Sequence, residues 1–74
     1  MNTIQQQWEG FKKNVVPNDA PEIQVSEMRI AFFGGASALL ALTTEISYHS
    51  EDAGVEMLEG LHDECRRFAD TGKN

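Results

Sequence analysis

Apolar residues near the start of the chain follow the spacing of an α-helix. They recur at intervals of four, three and four residues, at Ile4, Trp8, Phe11 and Val15. Such spacing places side chains on one helical stripe. Thr3 with Gln6 three positions later is the pattern of a capping box at a helix start. The sequence therefore predicts a first helix over residues 3–15, which is marginal alone and must dock its Trp8 stripe elsewhere.

Residues 16–21 interrupt this pattern with two prolines. Each proline disfavours the helical conformation in the residue before it, so we predict a turn or a short extended connector. Two starts for the second helix remain open. One lies near Ala20, with Asp19 and Glu22 as a capping box, and the other has Ser26 as its N-cap.

The central segment is a long run without charge between Arg29 and Glu45. It predicts a helix over about residues 24–47. One seam has coiled-coil spacing and consists of Met28, Phe32, Gly35, Leu39, Leu42 and Ile46. The other rows are apolar or small, so this helix needs partners on several faces. Gly34 and Gly35 together cost about 2 kcal/mol in a helix relative to alanines, which close approach of a second helix would offset.

The same segment can be tested as a membrane span by its length. From Ile30 to Thr44 a helix would measure about 22 Å, against about 30 Å of bilayer hydrocarbon. This comparison favours a helix buried in an oligomer, and we expect no membrane partner.

The last segment has an amphipathic helical pattern. After a connector at residues 48–50, Ser50 is the expected N-cap of a helix over residues 51–69. Its apolar seam is expected to comprise Leu58, Leu61, Cys65 and Phe68, and an extension of the seam to Val55 is left open. Asp63 and Arg67 are spaced for an ion pair. Residues 70–74 form a tail in which Gly72 ends the helix.

Together these elements predict an all-α fold in a single domain, residues 1–74. A short N-terminal helix precedes a two-helix hairpin, and the chains assemble as a homo-oligomeric helical bundle. The chain has 74 residues and a mass of 8.2 kDa. A monomer of this size buries only about 60 per cent of its unfolded surface. One cysteine forms no internal disulfide, which leaves oligomerisation as the expected source of additional stability.

Charge narrows the possible partners. The net charge is -6, the isoelectric point is near 4.6, and six residues are Lys or Arg. Binding to nucleic-acid backbones requires clustered basic side chains, so we expect no nucleic-acid partner. The N-terminus lacks the basic start and apolar core of a secretory signal, which predicts a cytoplasmic protein.

Part of the chain resembles a group of small uncharacterised phage and prophage proteins. The resemblance covers residues 8–40. It is carried by Trp8-x-x-Phe11, Val16-Pro17, Ala20-Pro21, Gln24 and Glu27-Met28-Arg29-x-Ala31-Phe32-x-x-Gly35-Ala36-x-Ala38-Leu39. It implies a phage origin and, because small phage proteins often inhibit host defences, a role in immune evasion. By architectural analogy alone, several anti-defence proteins are small helical homo-oligomers that sequester nucleotide signals between subunits.

Arg29 is the first candidate for a ligand-binding residue. Its ordinary role would be a structural ion pair with Glu22, with Glu27 or with an acid on a neighbouring subunit, because isolated buried charge is not tolerated. Its functional role would be to bind an anion, assisted by backbone N–H groups if the helix starts near Ser26. The further candidates are aromatic residues for base stacking and polar residues for hydrogen bonds or charge: Trp8, Phe33, Tyr48, Lys12 and Gln24. Helical spacing also favours a core role for Trp8 and Phe33.

No motif indicates catalysis, a metal or a cofactor. His62 and Cys65 lie one turn apart, a spacing that is weak evidence for a metal site, and Cys65 is expected to be a small core residue. The leading hypothesis is a phage-encoded protein that sequesters a nucleotide-type immune signal in a homo-oligomer. The alternative is an interaction module whose acidic third helix binds a host or phage protein.

Overall fold

The computed structural model describes residues 2–71, which form three α-helices and no strand. Helix α1 spans Ile4–Val15, α2 spans Glu22–Ile46 and α3 spans Glu51–Thr71. The predicted all-helical class is confirmed for this part of the chain. The predicted helix stop at Gly72 lies outside the described residues.

The arrangement is less simple than a short helix followed by a hairpin. The chain divides into two compact units, one ending at Leu40 and the other beginning at Ala41. Helix α2 is one continuous element of 25 residues and contributes to both units.

The start of α1 is fixed by the predicted capping box. The Gln6 backbone N–H donates to Thr3 Oγ1 at 3.1 Å, and the Thr3 backbone N–H donates to Gln6 Oε1 at 2.9 Å. Two N–H groups without partners in the helix are thereby satisfied. At the other end, Val16 adopts an extended conformation and ends the helix.

Helix α2 begins at Glu22, close to the earlier of the two predicted starts. The Ala20 N–H closes a turn on the Pro17 carbonyl at 3.1 Å, and the Val25 N–H donates to the Pro21 carbonyl at 3.1 Å. Proline is tolerated at a helix start because no N–H is needed there. Ser26 therefore lies inside the helix and is not its N-cap.

An aromatic cluster holds α1 against α2 in the N-terminal unit. Trp8 is 2% exposed. Its ring centroid lies 6.0 Å from that of Phe11 and 5.6 Å from that of Phe32, and the Phe11 and Phe32 centroids are 5.4 Å apart. On α2, the half-buried residues of this region include Val25, Met28, Phe32 and Ala36. Large rings thus supply the packing that a short helix cannot obtain alone.

In the C-terminal unit, α3 packs against the end of α2 at a glycine, Gly54. A Cβ added at Gly54 would lie 3.4 Å from Ile46 Cγ2, so α3 approaches the end of α2 closely. Met57 and Leu61 are half-buried beyond this contact. The predicted N-cap is confirmed, since the Ala53 N–H donates to Ser50 Oγ at 3.3 Å.

The predicted seam of α3 is largely wrong. Val55, Leu58 and Phe68 are 51%, 41% and 52% exposed, and Cys65 is exposed rather than part of a core. The packed side of α3 instead passes through Gly54, Met57 and Leu61. Asp63 also pairs with Arg66 at 2.8 Å, not with Arg67 as the spacing suggested.

Helix α2 has no buried residue although it is the most apolar of the three helices. Ile23 and Ile30 are 71% and 72% exposed, and Leu39 and Leu40 are 51% and 55% exposed. With 25 residues the helix measures about 37 Å, which is enough to cross about 30 Å of hydrocarbon. The observed helix is longer than the uncharged segment from Ile30 to Thr44, so the length comparison made for that segment does not apply to the whole helix. By length and composition, α2 qualifies as a candidate span, since an 18-residue stretch within it has a mean hydropathy of 1.4.

Candidate functional site

The candidate site is built around Arg29, which links α1 to α2. Arg29 Nη2 donates a hydrogen bond of 2.7 Å to Gln5 Oε1, across 24 positions of sequence. Gln5 Nε2 in turn donates to Glu9 Oε1 at 2.8 Å. The guanidinium carbon of Arg29 also lies 5.2 Å from the centre of the Phe33 ring, within the range of a cation–π interaction. The Gln5 amide and the Phe33 ring, which are both uncharged, thus hold the guanidinium in place.

The expected ion pair of Arg29 with Glu22 or Glu27 does not form. Among the described residues, the salt bridge that the structure contains joins Arg66 to Asp63 on α3. No carboxylate within the described part of the chain pairs with Arg29. Its positive charge is held in position but is not neutralised, and this arrangement suits the binding of an anion.

An open groove of about 590 Å³ lies between α1, the connector and the start of α2. It is lined by Gln5, Trp8, Glu9, Lys12, Asn18, Ala20, Glu22, Val25, Ser26 and Arg29. Two cations, Lys12 and Arg29, thus share the groove with two carboxylates, Glu9 and Glu22. A ligand that fits this lining must offer both anionic groups and hydrogen-bond donors.

The groove brings together three of the six predicted ligand-binding residues, namely Arg29, Lys12 and Trp8. Trp8 is too buried to stack on a base and has its predicted core role. Phe33 lines a neighbouring surface depression of about 290 Å³ together with Arg29. Gln24 and Tyr48 do not line the groove, and Tyr48 is 82% exposed in the C-terminal unit.

Sequence reasoning missed Gln5 and Glu9 as parts of this site. Nothing in the local pattern distinguishes Gln5 from its neighbours Gln6 and Gln7, because its partner is distant in sequence. The suggested help from a helix start near Ser26 is also wrong. Because α2 starts at Glu22, backbone N–H groups near Arg29 lie inside the helix.

Within residues 2–71, no group of three or more His, Cys, Asp or Glu side chains is placed to hold a metal ion. Comparisons of the chain with protein-family models, curated proteins and solved structures find no match. The chemistry of the site therefore has to be inferred from its own residues.

Proposed function

We propose that this chain is a phage-encoded, cytoplasmic protein that forms homo-oligomers and sequesters a small anionic ligand of the nucleotide class. It acts by binding and not by catalysis. In a phage, such a protein would remove a nucleotide immune signal and so block a host defence. The observation that carries the proposal is Arg29, whose guanidinium is oriented by Gln5 and Phe33 and has no carboxylate partner among residues 2–71.

The mixed lining of the groove favours a nucleotide over a simple inorganic anion. Arg29 and Lys12 provide donors and positive charge for phosphate oxygens. Glu9 and Glu22 are acceptors, which suit the amino and hydroxyl donors of a base and a ribose. A free phosphate or sulfate would be repelled by these carboxylates and would gain nothing from them.

The assembly part of the proposal follows from the exposure of α2. The most apolar helix of the chain has no buried residue. Burial of apolar side chains contributes about 25 cal/mol for each Å² removed from water, so a surface of this kind is stabilised when it is covered. Copies of the same chain would cover it and would repeat the Arg29 groove in every subunit.

We place the protein in the cytoplasm because of what packs beside α2. Helix α1 contacts α2 at Arg29 and Phe32. Other residues of α1 are exposed and polar, among them Gln6, Gln7 and Lys13. If α2 crossed a bilayer, these polar groups would lie in hydrocarbon, which is costly without partners. The chain should therefore remain in the soluble fraction after cell lysis, and recovery with membranes would contradict this assignment.

Isothermal titration with a panel of cyclic nucleotides and ADP-ribose derivatives tests the ligand. We expect binding by at least one member, and Arg29→Ala should weaken it about ten- to a hundredfold because a charge-assisted hydrogen bond contributes about 1.5–3 kcal/mol. Arg67→Ala removes the same charge from α3 and should bind as the native chain does. Absence of heat with every ligand, or native affinity in Arg29→Ala, would refute the proposal.

A second candidate function is supported by the charge of α3. Seven of its residues are Asp or Glu and two are Arg, within one helix of 21 residues. Such a surface suits a basic face on a host or phage protein. A double variant of α3, Glu56→Lys with Glu59→Lys, should no longer recover the partner from host lysate. A control double variant, Asp19→Lys with Glu22→Lys, should still recover it. Equal retention by both pairs would argue against this function.

A further inference from the structure

The C-terminal unit contains an open apolar groove between its two helical segments, which we call the α2–α3 groove. It has a volume of about 310 Å³. Most of its lining is apolar or small: Leu42, Ile46, Met57, Gly60 and Leu61. The remaining lining residues are acidic, Glu45 from α2 and Glu64 from α3. All of these residues belong to the C-terminal unit, so the groove is formed by one compact part of the chain.

We propose that the α2–α3 groove binds a basic amphipathic helix of another protein. Apolar side chains of the partner enter the groove, and a Lys or Arg on either side of them pairs with Glu45 and Glu64. An amphipathic helix lying in an apolar groove is a recurring mode of recognition. This proposal goes beyond nucleotide sequestration, which uses the Arg29 groove of the N-terminal unit.

The shape of the groove suits a few side chains of a protein partner. A Cβ added at Gly60 would meet no atom within 4 Å, so an incoming side chain can approach the backbone of α3 at this position. Small-molecule pockets have volumes of about 300–1,000 Å³ and enclose most of the ligand. The α2–α3 groove is at the lower end of this range and is open to solvent.

The two carboxylates determine the charge of the partner. Within residues 2–71, the side chains of Glu45 and Glu64 have no hydrogen bond or ion pair, whereas Asp63 pairs with Arg66. A purely apolar partner would remove water from Glu45 and Glu64 without replacing it, which is costly. A partner with a cation beside each carboxylate avoids this cost and adds electrostatic attraction.

The positions of the carboxylates predict the spacing of the partner's cations. Glu45 is next to Ile46, which contacts Gly54, and Glu64 lies ten residues beyond Gly54, about 15 Å along α3. The carboxylates thus lie toward opposite ends of the groove. Two Lys residues seven positions apart in a helix have Cα atoms about 10 Å apart, and their flexible side chains reach the remaining distance. Residues three and four after the first Lys lie between them on the same face and supply the apolar contact.

A second copy of this chain does not meet these requirements. Within residues 2–71, no two basic residues are seven positions apart. Helix α3 of another copy would bring seven acidic residues and two arginines toward an acidic rim, and like charges repel. Anionic lipid headgroups would be repelled by the same carboxylates. A basic helix from a different protein therefore fits the groove best.

Fluorescence anisotropy with labelled helical peptides tests the groove. The panel carries Lys at positions i and i+7, with Leu, Met, Phe or Trp at i+3 and i+4. We expect saturable binding by at least one peptide, and Gly60→Leu should weaken it at least tenfold because the leucine fills the groove. Gly10→Leu, at an open position of α1, should bind as the native chain does. Circular dichroism checks that both variants keep their helix content.

A second pair of variants tests the charges. Glu45→Gln with Glu64→Gln should weaken binding about two- to tenfold, as expected for two exposed ion pairs. Glu56→Gln with Glu59→Gln removes the same charge from α3 and should bind natively. Each of these two residues precedes a groove residue by one position and is rotated from it by about 100°. A peptide with Glu in place of both Lys residues should not bind.

Four results would overturn the proposal. The first is no saturable binding by any peptide, and the second is equal weakening by both members of either matched pair. The third is a lower solution mass for Gly60→Leu but not for Gly10→Leu, which would assign the groove to a second copy. The fourth is flotation of the native chain with phosphatidylcholine vesicles that is lost in Gly60→Leu, which would assign the groove to lipid.

These outcomes are separate from those of the two functions proposed above. The peptide assay needs no nucleotide, and Arg29→Ala should bind the peptide as the native chain does. Loss of peptide binding in Glu56→Gln with Glu59→Gln alone would place the partner on the acidic surface of the second candidate function and overturn binding in the groove.

Discussion

The helices inside each of the two units of this chain are packed in different ways. In the N-terminal unit, a short helix is attached by the side chain of Trp8, which is almost completely buried among the rings of Phe11 and Phe32. In the C-terminal unit, α3 approaches α2 closely where a side chain is missing, at Gly54 beside Ile46. Large rings anchor one unit, and close helix approach anchors the other.

This difference shows why neither unit is expected to be stable alone. Among the described residues, the buried hydrophobic side chains are Trp8 and Val16, both in the N-terminal unit. A core of this size contributes little against the conformational entropy lost on folding. Helix α2, which contributes residues to both units, has no buried residue although it is the most apolar of the three helices.

The largest loss of stability is expected for Trp8→Ala. Removing a buried tryptophan typically costs about 3–5 kcal/mol, which would exhaust most of the stability of a small domain. Urea denaturation at fixed protein concentration, followed by circular dichroism, should show loss of the cooperative transition or a much lower midpoint. Phe68→Ala truncates a half-exposed aromatic residue of the C-terminal unit and should cost far less. Similar midpoints for the two variants would contradict the anchoring role of Trp8.

An intermediate effect is expected at Gly54. Gly54→Leu should destabilise the chain by about 1–3 kcal/mol, because the added side chain must displace the Ile46 contact at 3.4 Å. Gly60→Leu is a matched control on the same helix, since a Cβ there meets no atom within 4 Å. The control should be neutral or stabilising. Equal destabilisation by both substitutions would show that close approach at Gly54 does not hold this unit.

The smallest expected effect is a gain in stability at Gly10 in α1. Gly10 is exposed, and a Cβ added there has no neighbour within 4 Å. Gly10→Ala should therefore stabilise the fold by about 0.5–1 kcal/mol through helix propensity alone. A raised urea midpoint with an unchanged solution mass would show that Gly10, unlike Gly54, tolerates a side chain. A lowered midpoint would mean that α1 has a neighbour at Gly10 in the assembled protein.

Local signals in the sequence were sufficient to predict the helices. The capping residues Thr3 and Ser50 mark helix starts through contacts within three residues, and such contacts depend on neighbours in sequence. The start of α2 was ambiguous because Asp19 and Ser26 are both acceptable caps. The structure resolves this ambiguity at Glu22.

The packing faces were harder to predict, for a physical reason. Helix α2 is apolar or small on nearly every side, so its hydrophobic pattern does not identify the side that contacts α1. On α3 the packed side includes Gly54, which carries no hydrophobic signal, and the pattern favoured Leu58 and Phe68 instead. The sequence indicates Arg29 as a charged group beside apolar residues, and the structure places it over the Phe33 ring. Its partner Gln5 is 24 positions away, and no local rule connects the two.

The central claim is that copies of the chain cover the exposed surface of α2. The most direct test is the mass of the purified protein by size-exclusion chromatography with light scattering. The account predicts a mass of at least two subunits, at concentrations where the protein is fully folded. A single species of 8.2 kDa with native helix content would contradict it.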